Sequence, residues 1–128
     1  MNRRMLAAFV FVLLAAGSAW AHHNMSAVFD FNQVVMQTGE LSSLDWRNPH
    51  IYIFVDVDND GESGTWSFEG PPPGFFKNRN VDKSTFESFL GQDITVEASR
   101  ARDGSLSGLI RQVTLTDGTV VSACPQNC

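Results

Sequence analysis

Ile51-Tyr52-Ile53-Phe54-Val55-Asp56-Val57-Asp58-Asn59-Asp60-Gly61 is the stretch that decides the fold class. Ile51, Ile53, Val55 and Val57 alternate with Tyr52, Phe54, Asp56 and Asp58, the period-two pattern of a strand with one face on a core. Asp58-Asn59-Asp60-Gly61 is then a turn, and its Asp-Gly step favours the positive-φ residues of a hairpin. Thr65 to Glu69 returns as the next strand, with Trp66 and Phe68 on one face.

Upstream, Asn48-Pro49 breaks the chain, because proline cannot donate to a ladder and holds Asn48 extended. Gln33 to Trp46 before it is strand-like. Val34, Met36 and Thr38 share one parity and Val35 and Gln37 the other, with Leu41, Leu44 and Trp46 carrying the run onward. Gly39 in its middle predicts a bulge or bend. Residues 22–32 show little alternation and read as an arm, with Phe29 and Phe31 as anchors.

Downstream, Pro71-Pro72-Pro73-Gly74 predicts a stiff extended connector. Ser84-Thr85-Phe86-Glu87 has the form of a capping box, and Phe86, Phe89 and Leu90 follow on one helical face until Gly91. Asp93 to Ala101 is the fourth strand, with Ile94, Val96 and Ala98 alternating. Leu106 to Thr116 is the fifth, with Leu109, Val113 and Leu115 on one parity. Asp117-Gly118 turns the chain, and Val120-Val121 returns briefly. Three strands, one short helix and two strands predict a mainly β fold, a small five-stranded Greek-key barrel of the OB type, over residues 33–122. A plain antiparallel sandwich is the rival.

The ends set the compartment. Arg3 and Arg4 precede an uncharged apolar run, Met5 to Ala16, too short to span a bilayer. Ala19 and Ala21 are the small residues a signal peptidase reads, so residues 1–21 are expected to be a cleaved signal and the mature chain to be periplasmic or secreted. The two arginines leave with the signal, and the formal net charge moves from −5 to −7. So acidic a domain is expected to be a poor binder of nucleic acid, which requires a basic surface, and of anionic lipid. Both cysteines, Cys124 and Cys128, sit in a tail over residues 123–128 and are expected to pair in an oxidising space.

The chain holds three histidines: His22, His23 and His50. Cleavage after Ala21 gives His22 a free α-amine, which with its imidazole can chelate one ion. A third imidazole from His50, in the Asn48-Pro49-His50 loop, would complete a nitrogen set suited to copper, with zinc second. Met25 could add a thioether. The bland readings are a frayed terminus for the pair and a turn role for His50. A second site class is an aromatic ligand face of Trp46, Tyr52 and Trp66, joined by Phe54 and Phe68, for a small molecule, a glycan or a protein partner. The competing reading makes most of these core. Asp56 to Gly61 matches the start of a calcium loop, but Ser67 stands where the closing glutamate belongs, so an acidic turn is favoured. No catalytic constellation emerges, and an oxidase-like copper enzyme would need an open coordination position that no motif supplies.

The mature start His22-His23, Phe29-Asp30, Thr38-Gly39, Trp46-x-Asn48-Pro49-His50 and Trp66-x-Phe68-Glu69-Gly70 occur in order, followed by Gly91-Gln92-Asp93-Ile94-Thr95-Val96, Asp103-Gly104 and Thr114-Leu115-Thr116-Asp117-Gly118. Together they resemble a family of small exported bacterial proteins of unknown function that begin with a His-His pair and carry an Asn-Pro-His turn. Asn24-Met25 before Ser26 and the two-cysteine tail depart from that pattern. The resemblance implies compartment and fold and supplies no reaction.

Overall fold

A computed structural model of the protein describes residues 25–59 and 61–124. Its strands are β1 (Phe29–Asp45), β2 (Ile51–Val57), β3 (Gly64–Gly70), β4 (Asp93–Ala101), β5 (Ser107–Thr114) and β6 (Val120–Ser122). Two short helices, α1 (Pro73–Lys77) and α2 (Lys83–Glu87), lie between β3 and β4. The sheet order is β3-β2-β1-β4-β5-β6, and a parallel pairing of β3 with β5 brings its ends together. Strands β1 to β5 thus form the expected OB-like barrel, with β6 appended along β5.

Closure depends on β1, which serves two neighbours. Its first part pairs with β4 from Phe29 to Glu40, and its last part with β2 from Glu40 to Asp45. The change of partner falls beside Gly39, where an added Cβ would lie 2.2 Å from the carbonyl oxygen of Asp56. Only a residue without a Cβ lets β2 approach so closely. Next to it, Leu41 exchanges backbone hydrogen bonds with the turn before β4, its N–H to the Gln92 carbonyl and its carbonyl from the Gly91 N–H, both at 2.9 Å. Gly91 has the left-handed φ of +77° that such a turn needs.

Inside the barrel lie Ile51, Ile53 and Val55 of β2, Trp66 and Phe68 of β3, and Ile94 and Val96 of β4, all essentially without exposed surface. The helices close one end. Phe76 of α1 and Phe86 of α2 are buried, and the Trp46 ring packs on both, with centroids 5.3 and 5.5 Å away.

Four local expectations are corrected. First, β1 begins at Phe29 rather than Gln33, and Phe29 is buried opposite Ala101. Residues 31–33 bulge out between the Asp30–Arg100 and Val34–Ser99 pairs, and this interruption is what hid the strand from an alternation test. Second, Pro71-Pro72-Pro73-Gly74 is not extended throughout. Helix α1 starts at Pro73, because a first-turn position demands no N–H and suits proline's fixed φ. Third, the cap of α2 is Asp82, not Ser84. Asp82 Oδ1 accepts from the Thr85 N–H at 3.1 Å, while Thr85 Oγ1 accepts from the Asp82 N–H at 3.3 Å. Ser84 instead donates to Asp82 at 2.6 Å, and that bond, with the one from Thr85, holds the Asp82 carboxyl below its ordinary range. The helix stops at Glu87, so Leu90 lies past it and is exposed. Fourth, β5 changes parity. Its ladder to β4 pairs Glu97 with Gln112 and Ala98 with Ile110, leaving Arg111 as the extra residue of a bulge. Ile110 and Val113 therefore both face inward, and Leu109 does not share the buried face with Val113.

Candidate functional site

Tyr52 of β2 stands opposite Asp45 of β1 and Glu69 of β3, so the three side chains form one row across the outside of the barrel. The loop from β1 to β2, with its cis Asn48–Pro49 peptide, ends beside that row at His50. His50 Nδ1 lies 2.5 Å from Glu69 Oε1, with the imidazole half-exposed and the carboxylate mostly covered. A carboxylate only accepts, so Nδ1 carries the proton of this hydrogen bond. Among the described residues the structure gives His50 Nε2 no hydrogen-bond partner.

Tyr52 ties into the same group. Burial raises its phenol above the ordinary tyrosine range, and the Glu69 charge, a hydrogen bond to Glu69 and the Asp45 charge add to the rise. At the end of the row Arg47 Nη2 pairs with Asp45 Oδ2 at 2.7 Å. Glu69 thus receives His50, and Asp45 is answered by Arg47. Sequence reasoning named His50 and Tyr52 but missed Glu69. Parity along β3 could have placed Glu69 outward beside Ser67, but only the β2–β3 register puts it against Tyr52.

The proposed metal ligands are not gathered by what is described. His22 and His23 lie outside the described residues, as does the expected cleavage site. Among the described residues no group of three or more His, Cys, Asp or Glu side chains is close enough to hold a metal ion. What the structure does fix is the chain leading toward the pair. Residues 25–28 are helical. They are held against the β4–β5 loop by Arg102, whose Nε donates to the Ser26 carbonyl and whose backbone N–H donates to the Val28 carbonyl, both at 2.8 Å.

The aromatic face is corrected in part. Trp66 has no exposed surface; it stacks on Phe68 at 5.5 Å inside the barrel, so it cannot meet a ligand from outside. Its parity with Phe68, opposite the polar Thr65, Ser67 and Glu69, is the reason. Trp46 is half-buried on the helical cap. Tyr52 and Phe54 are the pair that share the outer surface, each half-covered.

The acidic turn after β2 is used internally. Glu62 accepts from the Gln37 side-chain amide at 2.8 Å and pairs with Arg100, and Asn59 donates to Gln37 Oε1 at 2.8 Å. Gln37 is an inward-facing polar residue, 4% exposed, and this loop satisfies both ends of its amide. The calcium-like stretch is therefore a lid over a buried glutamine; Asp60 lies outside the described residues. Glu62→Ala is expected to cost about 2 kcal/mol in stability by stranding Gln37 and Arg100. Urea unfolding measures it, and a change under about 0.5 kcal/mol would mean the loop adds nothing. Cys124 is half-buried, with Sγ 3.4 Å from the Arg111 carbonyl oxygen. Its expected partner Cys128 lies outside the described residues.

A family of unknown function, DUF6152, has a family model that matches residues 10–112. The chain belongs to this family. The match spans the barrel from β1 into β5 and takes in His22, His23 and His50. No match was found among curated proteins or among solved structures. Family membership therefore brings no reaction, ligand or partner with it.

Proposed function

We propose that this DUF6152 protein is an exported binding protein of the cell envelope that holds a copper-type ion through the processed terminus, His22 and His23, and through His50. Copper is the first choice because the donor set is nitrogen-rich, and zinc is the second. The observation that carries the reading is His50 itself: an imidazole pinned at Nδ1 by a covered carboxylate, with Nε2 turned to no described partner.

Reach supports the same reading. The arm meets the barrel at Phe29, opposite Ala101, two residues along β4 from the row Val34–Ser99–Leu109–Glu69 and so three strand spacings and two residues from Glu69. The three spacings alone are about 14 Å. The helical residues 25–28 rise about 6 Å, and 22–24 extend up to about 10 Å, a span of the required size before the imidazoles are added.

The terminal-amine part is tested by calorimetry with Cu(II) on protein beginning at His22. Acetylating the α-amine of His22 removes that donor without creating another, and affinity should fall at least about 10-fold, roughly 1.4 kcal/mol. Equal affinity in the two forms would remove the amine from the site. A second reading, favoured by the half-exposed Tyr52 and Phe54 on the outer face of β2, is a metal-free module that stacks a small molecule, glycan or protein side chain there. Ligand binding unaffected by chelator would support it.

The export signal and a Cys124–Cys128 bond belong to the same proposal. An acidic chain bound for an oxidising space, with both thiols within residues 124–128, fits a local disulfide rather than a second metal site.

A further inference from the structure

We propose that Glu69 is a positioning residue that locks His50 in the Nδ1–H tautomer and so presents Nε2 as its coordinating nitrogen. The use made of that nitrogen rests on the metal reading above; the lock itself does not.

Neutral imidazole has one N–H and one lone pair, and the nitrogen that carries the proton is decided by the hydrogen bond the ring can make. In water the Nε2–H form is ordinarily preferred, so presenting a bare Nε2 requires an acceptor at Nδ1. Glu69 is that acceptor. Its Oε1 lies 2.5 Å from Nδ1, and its side chain is only 15% exposed, so water competes poorly for it. The carboxylate is in turn held. Glu69 sits within a strand, directly opposite Tyr52. The backbone beneath is fixed on both sides, since Glu69 pairs with Tyr52 of β2 and with Leu109 of β5. Every part that orients His50 thus belongs to the rigid sheet, although His50 itself stands in a loop.

Two consequences follow for the ligand. A carboxylate on the far nitrogen makes imidazole a stronger donor. It also adds negative charge next to the ion, which favours a divalent ion such as Cu(II) or Zn(II) over a monovalent one.

The test reads the tautomer without any metal. Long-range proton–nitrogen NMR of the mature protein near pH 8, above the ordinary imidazole range near 6.5, distinguishes the two forms of His50. The expected wild-type spectrum shows Nδ1–H. Glu69→Leu, which removes the acceptor, should move His50 to Nε2–H. A wild-type His50 in the Nε2–H form would overturn the proposal before any variant is made. So would a folded Glu69→Leu variant whose tautomer is unchanged. Titration with Cu(II) is the separate arm: a shifted tautomer should weaken binding about 10- to 100-fold. A tautomer that shifts as expected while Cu(II) affinity stays constant leaves the lock standing and removes His50 from the metal site.

Discussion

Gly39→Ala is expected to lower stability by roughly 3 kcal/mol or more, the largest effect of any single added methyl in the barrel. The new Cβ would fall 2.2 Å from the Asp56 carbonyl oxygen, 2.9 Å from its carbon and 3.1 Å from the Val57 Cα. All three are backbone atoms, so no side chain can swing aside. Relief requires β1 and β2 to separate where β1 passes from one partner to the other. Separation there also strains the neighbouring Leu41 bonds to Gly91 and Gln92, which seat the start of β4. For a domain of this size the loss corresponds to a fall in Tm of about 15 °C, read by circular dichroism. Gly74→Ala in α1 is the control, because a Cβ there meets nothing within 4 Å. A Gly39→Ala protein melting within about 3 °C of wild type would mean that the barrel does not depend on this close approach.

His50→Ala is expected to weaken Cu(II) binding by the mature protein at least about 100-fold, more than the loss of an outer hydrogen-bond partner costs a metal site. The argument is one of pre-organisation. An amine and imidazole at a chain end can bind copper alone, as any such peptide can. What the barrel adds is an imidazole already ordered by Glu69, so little freedom is lost on binding. The substitution removes a half-exposed side chain from a loop and should leave Tm nearly unchanged, separating a binding effect from a folding one. Calorimetry of both proteins, each beginning at His22, gives the answer. Equal affinities would leave the terminus to bind copper by itself and return His50 to a turn role.

The barrel was legible because its cues are local. Alternation from Ile51 to Val57, the odd glycine at position 39 and the position of the helical segment between Gly70 and Asp93 all act over a few residues and dictate the order of elements. Finer features were ambiguous because two physical solutions shared one stretch. Asp82-x-x-Thr85 and Ser84-x-x-Glu87 both have capping form, and the aspartate wins because its carboxylate accepts from Ser84 and Thr85 together. Leu109 and Ile110 are adjacent apolar residues, so the parity of β5 hung on a bulge at Arg111 that only the ladder reveals. The same limit governs the site. His50 and Tyr52 were visible as residue types, but Glu69 lies on a different strand and joins them only through the register. Trp66 shows the converse: its parity with Phe68 already pointed inward, and the pull of its aromatic ring toward a ligand role was misplaced.

Paramagnetic NMR tests the central claim most directly. Cu(II), added well below one equivalent to labelled mature protein beginning at His22, broadens resonances near the ion. If one ion is shared, the His50 ring and the amides flanking Glu69 should fade in step with those of residues 22–25, while the acidic row around Glu40 and Asp56 stays sharp. Broadening confined to the terminus, with the His50 ring unaffected, would contradict the account.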